Sequence, residues 1–240
     1  MDHARTLQRP TRAFAQRRIV RHHHRRGFTL IETALATVII GVGVLALVDS
    51  QAAFLASNAW STQTATANYL ANEIREMTRR LPKHDPVNGL YVDGTGALRG
   101  WGPRSSDANA QDFAYITAFD GMTFASSGSV GWADGNLPGP IDAFGTTIPD
   151  VDGNGNVRMT SANAPMPLQG WSQSVSVVKV DPFNNSRTYV NNATLPADAT
   201  TGFKGLAIDQ FPVRVTVTVN YRGPFDSTNI NMGTVSWIVP

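Results

Sequence analysis

Twenty-one residues from Phe28 to Val48 read F-T-L-I-E-T-A-L-A-T-V-I-I-G-V-G-V-L-A-L-V and contain one charge, Glu32. As a helix this run is about 30 Å long, the thickness of a bilayer's hydrocarbon core. The sequence is therefore read as a membrane-spanning helix followed by a larger domain. Flanking charge sets its direction. Met1 to Gly27 holds eight arginines against one aspartate, with Arg25 and Arg26 next to the apolar run and Arg17, Arg18 and Arg21 close behind. The positive-inside bias keeps that leader in the cytoplasm and sends Asp49 onward outward. The leader also accounts for the net charge of +2, because twelve basic and seventeen acidic residues remain after Gly27. The body is mildly acidic, and no nucleic-acid partner is expected for it.

A secretory signal has a shorter apolar core and ends at a small-residue cleavage site, which this run does not match. A carboxylate near the start of a membrane helix is costly unless a cation or hydrogen-bond donor meets it, so Glu32 calls for a partner. Arg25 to Glu32, R-R-G-F-T-L-I-E, resembles the N-terminus of type IV prepilins and type II secretion pseudopilins: a basic leader, Gly, Phe, and Glu four residues further on. The resemblance implies cleavage between Gly27 and Phe28 by prepilin peptidase, N-methylation of Phe28, and an assembly role for Glu32 opposite a Phe28 ammonium. It implies other pilin or pseudopilin subunits, the inner-membrane assembly machinery and the lipid bilayer as partners. The implied location is the inner membrane, then a pilus or pseudopilus.

Beyond the membrane run, Ala52, Ala56, Ala59, Gln63, Ala67, Leu70, Ile74, Met77 and Leu81 recur at three- and four-residue steps, the spacing of one helix face. No Gly or Pro interrupts Val44 to Leu81, and Pro82 ends the pattern. One helix from near Phe28 to Leu81, roughly 50 residues and about 80 Å long, is expected. Gly41 and Gly43 are the places where it could bend. Tyr69 to Met77, Y-L-A-N-E-I-R-E-M, resembles the same region of minor pilins of the pilus-modification type and of small tip pseudopilins.

His84 to about Gly170 is rich in Gly, Pro, Asn and Asp, with turns expected at Asp93-Gly94, Asp120-Gly121 and Asp134-Gly135. Short strands are expected at Gly89 to Val92, Phe113 to Phe119 and Val157 to Thr160, and no internal repeat is found. The C-terminal third is clearer. Val175, Val177, Val178 and Val180 form one β-rich run, and Val213, Val215, Val217, Val219 and Tyr221 alternate with polar residues. Gly233 to Pro240 is expected to pair with the latter as a hairpin, and the sheet's apolar face to cover the helix stripe. The fold class is α+β: a long N-terminal helix over residues 28–82, spanning the membrane in its first half, packed on a C-terminal antiparallel β-rich head over residues 83–240.

Enzyme chemistry finds little material. After the leader the only histidine is His84, read as part of a surface turn. Cysteine is absent, and neither G-x-S-x-G nor a glycine-rich phosphate loop occurs. No catalytic role is expected. His22, His23 and His24 fall in the segment expected to be discarded. Asp150 to Val157, D-V-D-G-N-G-N-V, resembles the first half of a calcium loop. Asp150, Asp152 and Asn154 offer side-chain oxygens and Asn156 its carbonyl, although Ser161 stands where a bidentate Glu would be required. A polar β-turn is the competing reading, and calcium is the only cofactor considered. Tyr115, Trp132 and Trp171 are read as local core rather than an adhesive patch. The expected function is a prepilin-like subunit, minor pilin or pseudopilin; the alternative is a membrane-tethered binding or adhesin module that does not polymerise.

Overall fold

The computed structural model describes residues 28–126, 137–224 and 226–240. The leader with Gly27 and His22 to His24 lies outside them, as do Trp132 and the Asp134-Gly135 turn. The chain divides into two compact units between Ala53 and Phe54, inside one continuous helix, α1, Leu30–Thr78. In the first unit α1 passes through Gly41 and Gly43 without interruption. Its apolar side chains from Leu30 to Val48 are exposed, and the helix is long and apolar enough to cross a membrane.

In the second unit, α1 buries Ala67, Leu70, Ala71, Ile74 and Thr78 against a six-stranded sheet. The strands are β3 (Thr123–Ala125), β4 (Leu137–Pro138), β5 (Trp171–Val180), β6 (Thr188–Tyr189), β7 (Val213–Tyr221) and β8 (Ile230–Val239). Their order is β4-β3-β5-β7-β8, with β6 pairing with β5; β3 and β4 are parallel and the other pairs antiparallel. A separate small hairpin joins β1 (Tyr91–Val92) to β2 (Leu98–Arg99). Val213, Val215, Val217 and Val219 of β7 are fully buried beneath α1, as their alternation requires. A Cβ added at Gly233 would lie 3.3 Å from the Ala67 methyl, so small residues meet where helix and β8 come together. Gln173, fully buried on β5, ties the layers: its Nε2 donates to Leu70 O (2.8 Å) and Ile141 O (2.9 Å), and its Oε1 accepts the Ile141 N–H at 2.7 Å.

The covered part of the helix stripe is shorter than expected. Ala52, Ala56 and Ala59 are exposed and burial begins near Gln63, because the sheet's helix-facing residues reach only the last turns. The helix ends at Thr78 rather than Leu81. The Thr78 hydroxyl donates to Ile74 O and Arg75 O, and Leu81 N–H bonds to Thr78 O in a tighter i to i+3 turn. Phe113 to Phe119 is not a strand. It carries a 3-10 turn at Ile116–Phe119, following one at Ala110–Asp112, and its aromatic alternation fills the core with Phe113, Tyr115 and Phe119. Of Gly89 to Val92 only Tyr91–Val92 is strand, and Val157 to Thr160 makes isolated bridges only. The β7–β8 hairpin forms as expected, but β8 starts earlier, at Ile230, and its register against β7 shifts between Val219 and Asn220, where Met232 is the extra residue. Tyr115 and Trp171 are buried, as local core residues are.

His84 is half-buried rather than on a surface turn. Its ring lies 6.0 Å from that of Trp101, Thr117 Oγ1 is 3.5 Å from Nδ1, and Nε2 is buried without a hydrogen-bond partner among the described residues. Lys179, fully buried on β5, has its Nζ 5.0 Å from the Phe211 ring centre and 5.9 Å from that of Trp101, donating to Ala193 O at 3.4 Å. Burial lowers the Lys179 pKa to about 8, opposed by the charge of Asp209 and aided by Lys83. Burial, with Lys83 and Lys179 nearby, lowers that of His84 to about 4, while Asp209 acts the other way. Between pH 6.5 and 4 the unfolded chain therefore binds a proton at His84 that the folded chain refuses, and stability falls as pH falls through that window. Asp85, held well below the usual carboxylate range chiefly by Arg104 at 2.6 Å, titrates beneath it. Denaturant melts at pH 7 and pH 4.5 are expected to differ less for His84→Gln than for the wild-type chain.

Candidate functional site

The start of α1 is built from Thr29 and Glu32. Thr29 is the N-cap and Glu32 the third helical residue, so T-L-I-E forms a capping box. The Thr29 N–H donates to Glu32 Oε2 (2.8 Å), the Thr29 hydroxyl donates to the same oxygen (3.0 Å), and Thr29 Oγ1 accepts the Glu32 N–H at 3.3 Å. This satisfies two of the amide donors that every helix start leaves open, and it places the negative charge at the positive end of the helix. Phe28 precedes the cap and is exposed. Among charges near Glu32 in sequence, the partner expected for it is the Phe28 amine. Thr29 is a partner that a search among charges leaves out, although T-x-x-E before an apolar run spells the cap.

Residues 22–48 match the prokaryotic N-terminal methylation motif. The chain thus carries the type IV pilin and pseudopilin signal, and that signal runs into the apolar helix just described. The matched stretch ends at Val48, so the head lies outside it. Compared with curated proteins and with solved structures, the chain gives no match.

The second candidate, Asp150 to Val157, closes as a hairpin. The Asp152 N–H donates to Asn156 O (2.9 Å) and the Gly155 N–H to Asp152 O (3.0 Å), while Val151 bridges Val157. Asp152 Oδ1 accepts the N–H groups of Asn154 and Asn156, Oδ2 accepts the Asn156 side-chain amide, and the carboxyl is held below its ordinary range, first by the Asn156 N–H. Asp150 lies 3.4 Å from Arg158.

The same turn occurs twice more among the described residues. Asp93 N–H bonds to Ala97 O with Oδ1 capping Thr95 and Ala97; Asp142 N–H bonds to Thr146 O with Oδ1 capping Phe144 and Thr146. Each copy reads apolar-Asp-x-x-Gly, with Gly96, Gly145 and Gly155 at positive φ of 84°, 76° and 84°. This recurrence was missed because the copies are short and unevenly spaced. It accounts for Asp152, Gly155 and Asn156 as turn chemistry. A cation here would have to draw Asp150 from Arg158 and compete for both oxygens of Asp152. Thermal melts with millimolar calcium and with chelator are expected to coincide; a calcium-dependent rise would make Asp150, Asp152, Asn154 and Asn156 ligands.

Proposed function

We propose that this chain is a prepilin-like subunit, a minor pilin or pseudopilin, cut between Gly27 and Phe28 by prepilin peptidase and methylated on Phe28. It then assembles with other pilin-like subunits into a type IV pilus or type II secretion pseudopilus. The observation that carries this reading is the methylation motif over residues 22–48, which runs into a capped apolar helix with Glu32 in its first turn. The role is structural rather than catalytic. The inner membrane holds the subunit by α1 before assembly, with the leader cytoplasmic and the head outside.

Mature Phe28 would bring an ammonium next to the Glu32 cap, and a carboxylate among apolar side chains is most stable opposite such a charge. In a filament the ammonium of one subunit and Glu32 of a neighbour would fix axial register. N-terminal sequencing of the protein from native membranes tests the reading: N-methylphenylalanine from Phe28 is expected, and a chain that retains Met1 would refute it.

A further inference from the structure

We propose that the cleft lined by the β1–β2 hairpin and residues 100–105 is a binding site for a neutral sugar. The cleft lies wholly in the head unit, and the proposal does not depend on processing at Gly27.

The cleft has a volume of about 430 Å³. Glycine shapes its wall: Gly100, at a φ of 81°, passes so close to Gly89 that a Cβ would overlap the Gly89 carbonyl oxygen. Two arginines line it, and an aspartate holds each. Arg104 Nε and Nη2 donate to the two oxygens of Asp85 (3.2 and 2.6 Å), and the guanidinium lies 5.3 Å from the Tyr115 ring centre. Asp85 is 4 % exposed and also accepts the Val87 N–H and the Asn88 side-chain amide. Arg99 Nε donates to Asp93 Oδ2 at 2.8 Å. A planar guanidinium fixed in this way keeps its remaining N–H groups in a set direction. Arg104 Nη1 and both Nη atoms of Arg99 form no hydrogen bond among the described residues. A buried ion pair adds little stability over well-packed apolar residues, so its place at a cleft wall is better accounted for by the donors that it orients in advance.

Charge decides the class of ligand. Arg99 and Arg104 are matched by Asp93 and Asp85, and Asp107, which accepts the Arg104 N–H at 2.8 Å, adds a further negative charge. The cleft therefore offers strong donors without surplus positive charge, which favours neutral oxygen acceptors over an anion. Asn88 and Ser105, both exposed, add an amide oxygen and a hydroxyl that can accept from a hydroxyl-rich ring. Tyr91, 46 % exposed, presents an aromatic ring. The C–H face of a sugar can stack there, because the face of the ring is the negative side of its quadrupole. An extended peptide would need a row of open main-chain groups, whereas this wall is built from turns and two strands of two residues each.

Ligand-observed saturation-transfer NMR tests this on the full-length protein in a detergent without a sugar headgroup, with lactose, maltose and diacetylchitobiose titrated as probes. At least one of them is expected to receive saturation. Arg99→Gln, Tyr91→Ala and Arg104→Lys, which keeps a cation beside Asp85 but lacks Nη1, are each expected to weaken its binding about tenfold. Arg158→Gln, whose partner Asp150 is not in the cleft wall, is expected to leave it unchanged. Arg99→Gln and Tyr91→Ala should melt with the wild-type chain, which separates lost binding from lost fold. No transfer to any of the three sugars, equal transfer in the cleft variants, or stronger transfer to galacturonate or to trialanine than to the neutral sugars would overturn the proposal.

Discussion

Glu32→Gln is expected to give a chain that inserts and is cleaved after Gly27 but is not recovered in sheared filaments. The geometry of the cap makes this substitution informative. A glutamine oxygen can still accept the N–H and hydroxyl of Thr29, which lie 2.8 and 3.0 Å from Glu32 Oε2, so the helix start survives while its charge is lost. A mature Phe28 ammonium packed among apolar helices would then lack a counter-charge, a loss of about 3–5 kcal/mol where one member of a buried pair is removed. Thr29→Ala does the reverse: it costs the cap about 1 kcal/mol but keeps the carboxylate. It is expected to enter filaments in reduced amount. Immunoblots of sheared and cell-bound fractions would separate the two effects. Glu32→Gln subunits in filaments at wild-type amounts would refute the charge role.

The largest stability effect is expected in the head, from Gln173→Leu. The leucine fills much of the same volume, but it strands the Ile141 N–H and the Ile141 and Leu70 carbonyls, which Gln173 bonds at 2.7 to 2.9 Å. Buried groups left without partners cost about 1–3 kcal/mol each, and the Leu70 carbonyl keeps its place in the helix ladder. A net loss of about 3 kcal/mol, or about 10 °C in melting temperature, is expected. Ser176→Ala, at an exposed position of the same strand, should stay within about 0.5 kcal/mol of wild type. Detergent-solubilised protein followed by tryptophan fluorescence would measure both.

Regular period made part of the fold legible in advance. The long apolar run and the helix stripe gave α1, and the unbroken alternation from Val213 to Tyr221 gave β7 with its hairpin partner. Irregular chain hid the rest. The parallel β3–β4 pair is formed by strands of three and two residues, too short for a period to show. Phe113, Tyr115 and Phe119 suggested a strand because core-filling aromatics in a 3-10 segment can imitate alternation. Lys179 and Gln173 lie within a valine-rich run whose polar residues would be assigned to the outer face, yet both are fully buried, because loops and α1 cover the face on which they stand. At the candidate site, a lone carboxylate in an apolar run singled out Glu32, and the resemblance to prepilins singled out Phe28. The donor that meets Glu32 in a single chain, Thr29, required attention to backbone groups as well as to charges.

The three Asp-based turns at Asp93, Asp142 and Asp152 each close on their own main chain and their own carboxylate, the Asp142 turn being tied in addition to α1 by the Ala143 N–H to Glu73 Oε2 bond (2.6 Å), and no side-chain bond runs from the two residues at each tip to the core. What stands at those tips can be exchanged without disturbing the scaffold; Phe144, 81 % exposed, already displays a large ring in this way. The head therefore carries side chains at these tips that its core does not depend on, so what it displays there is set apart from what folds it.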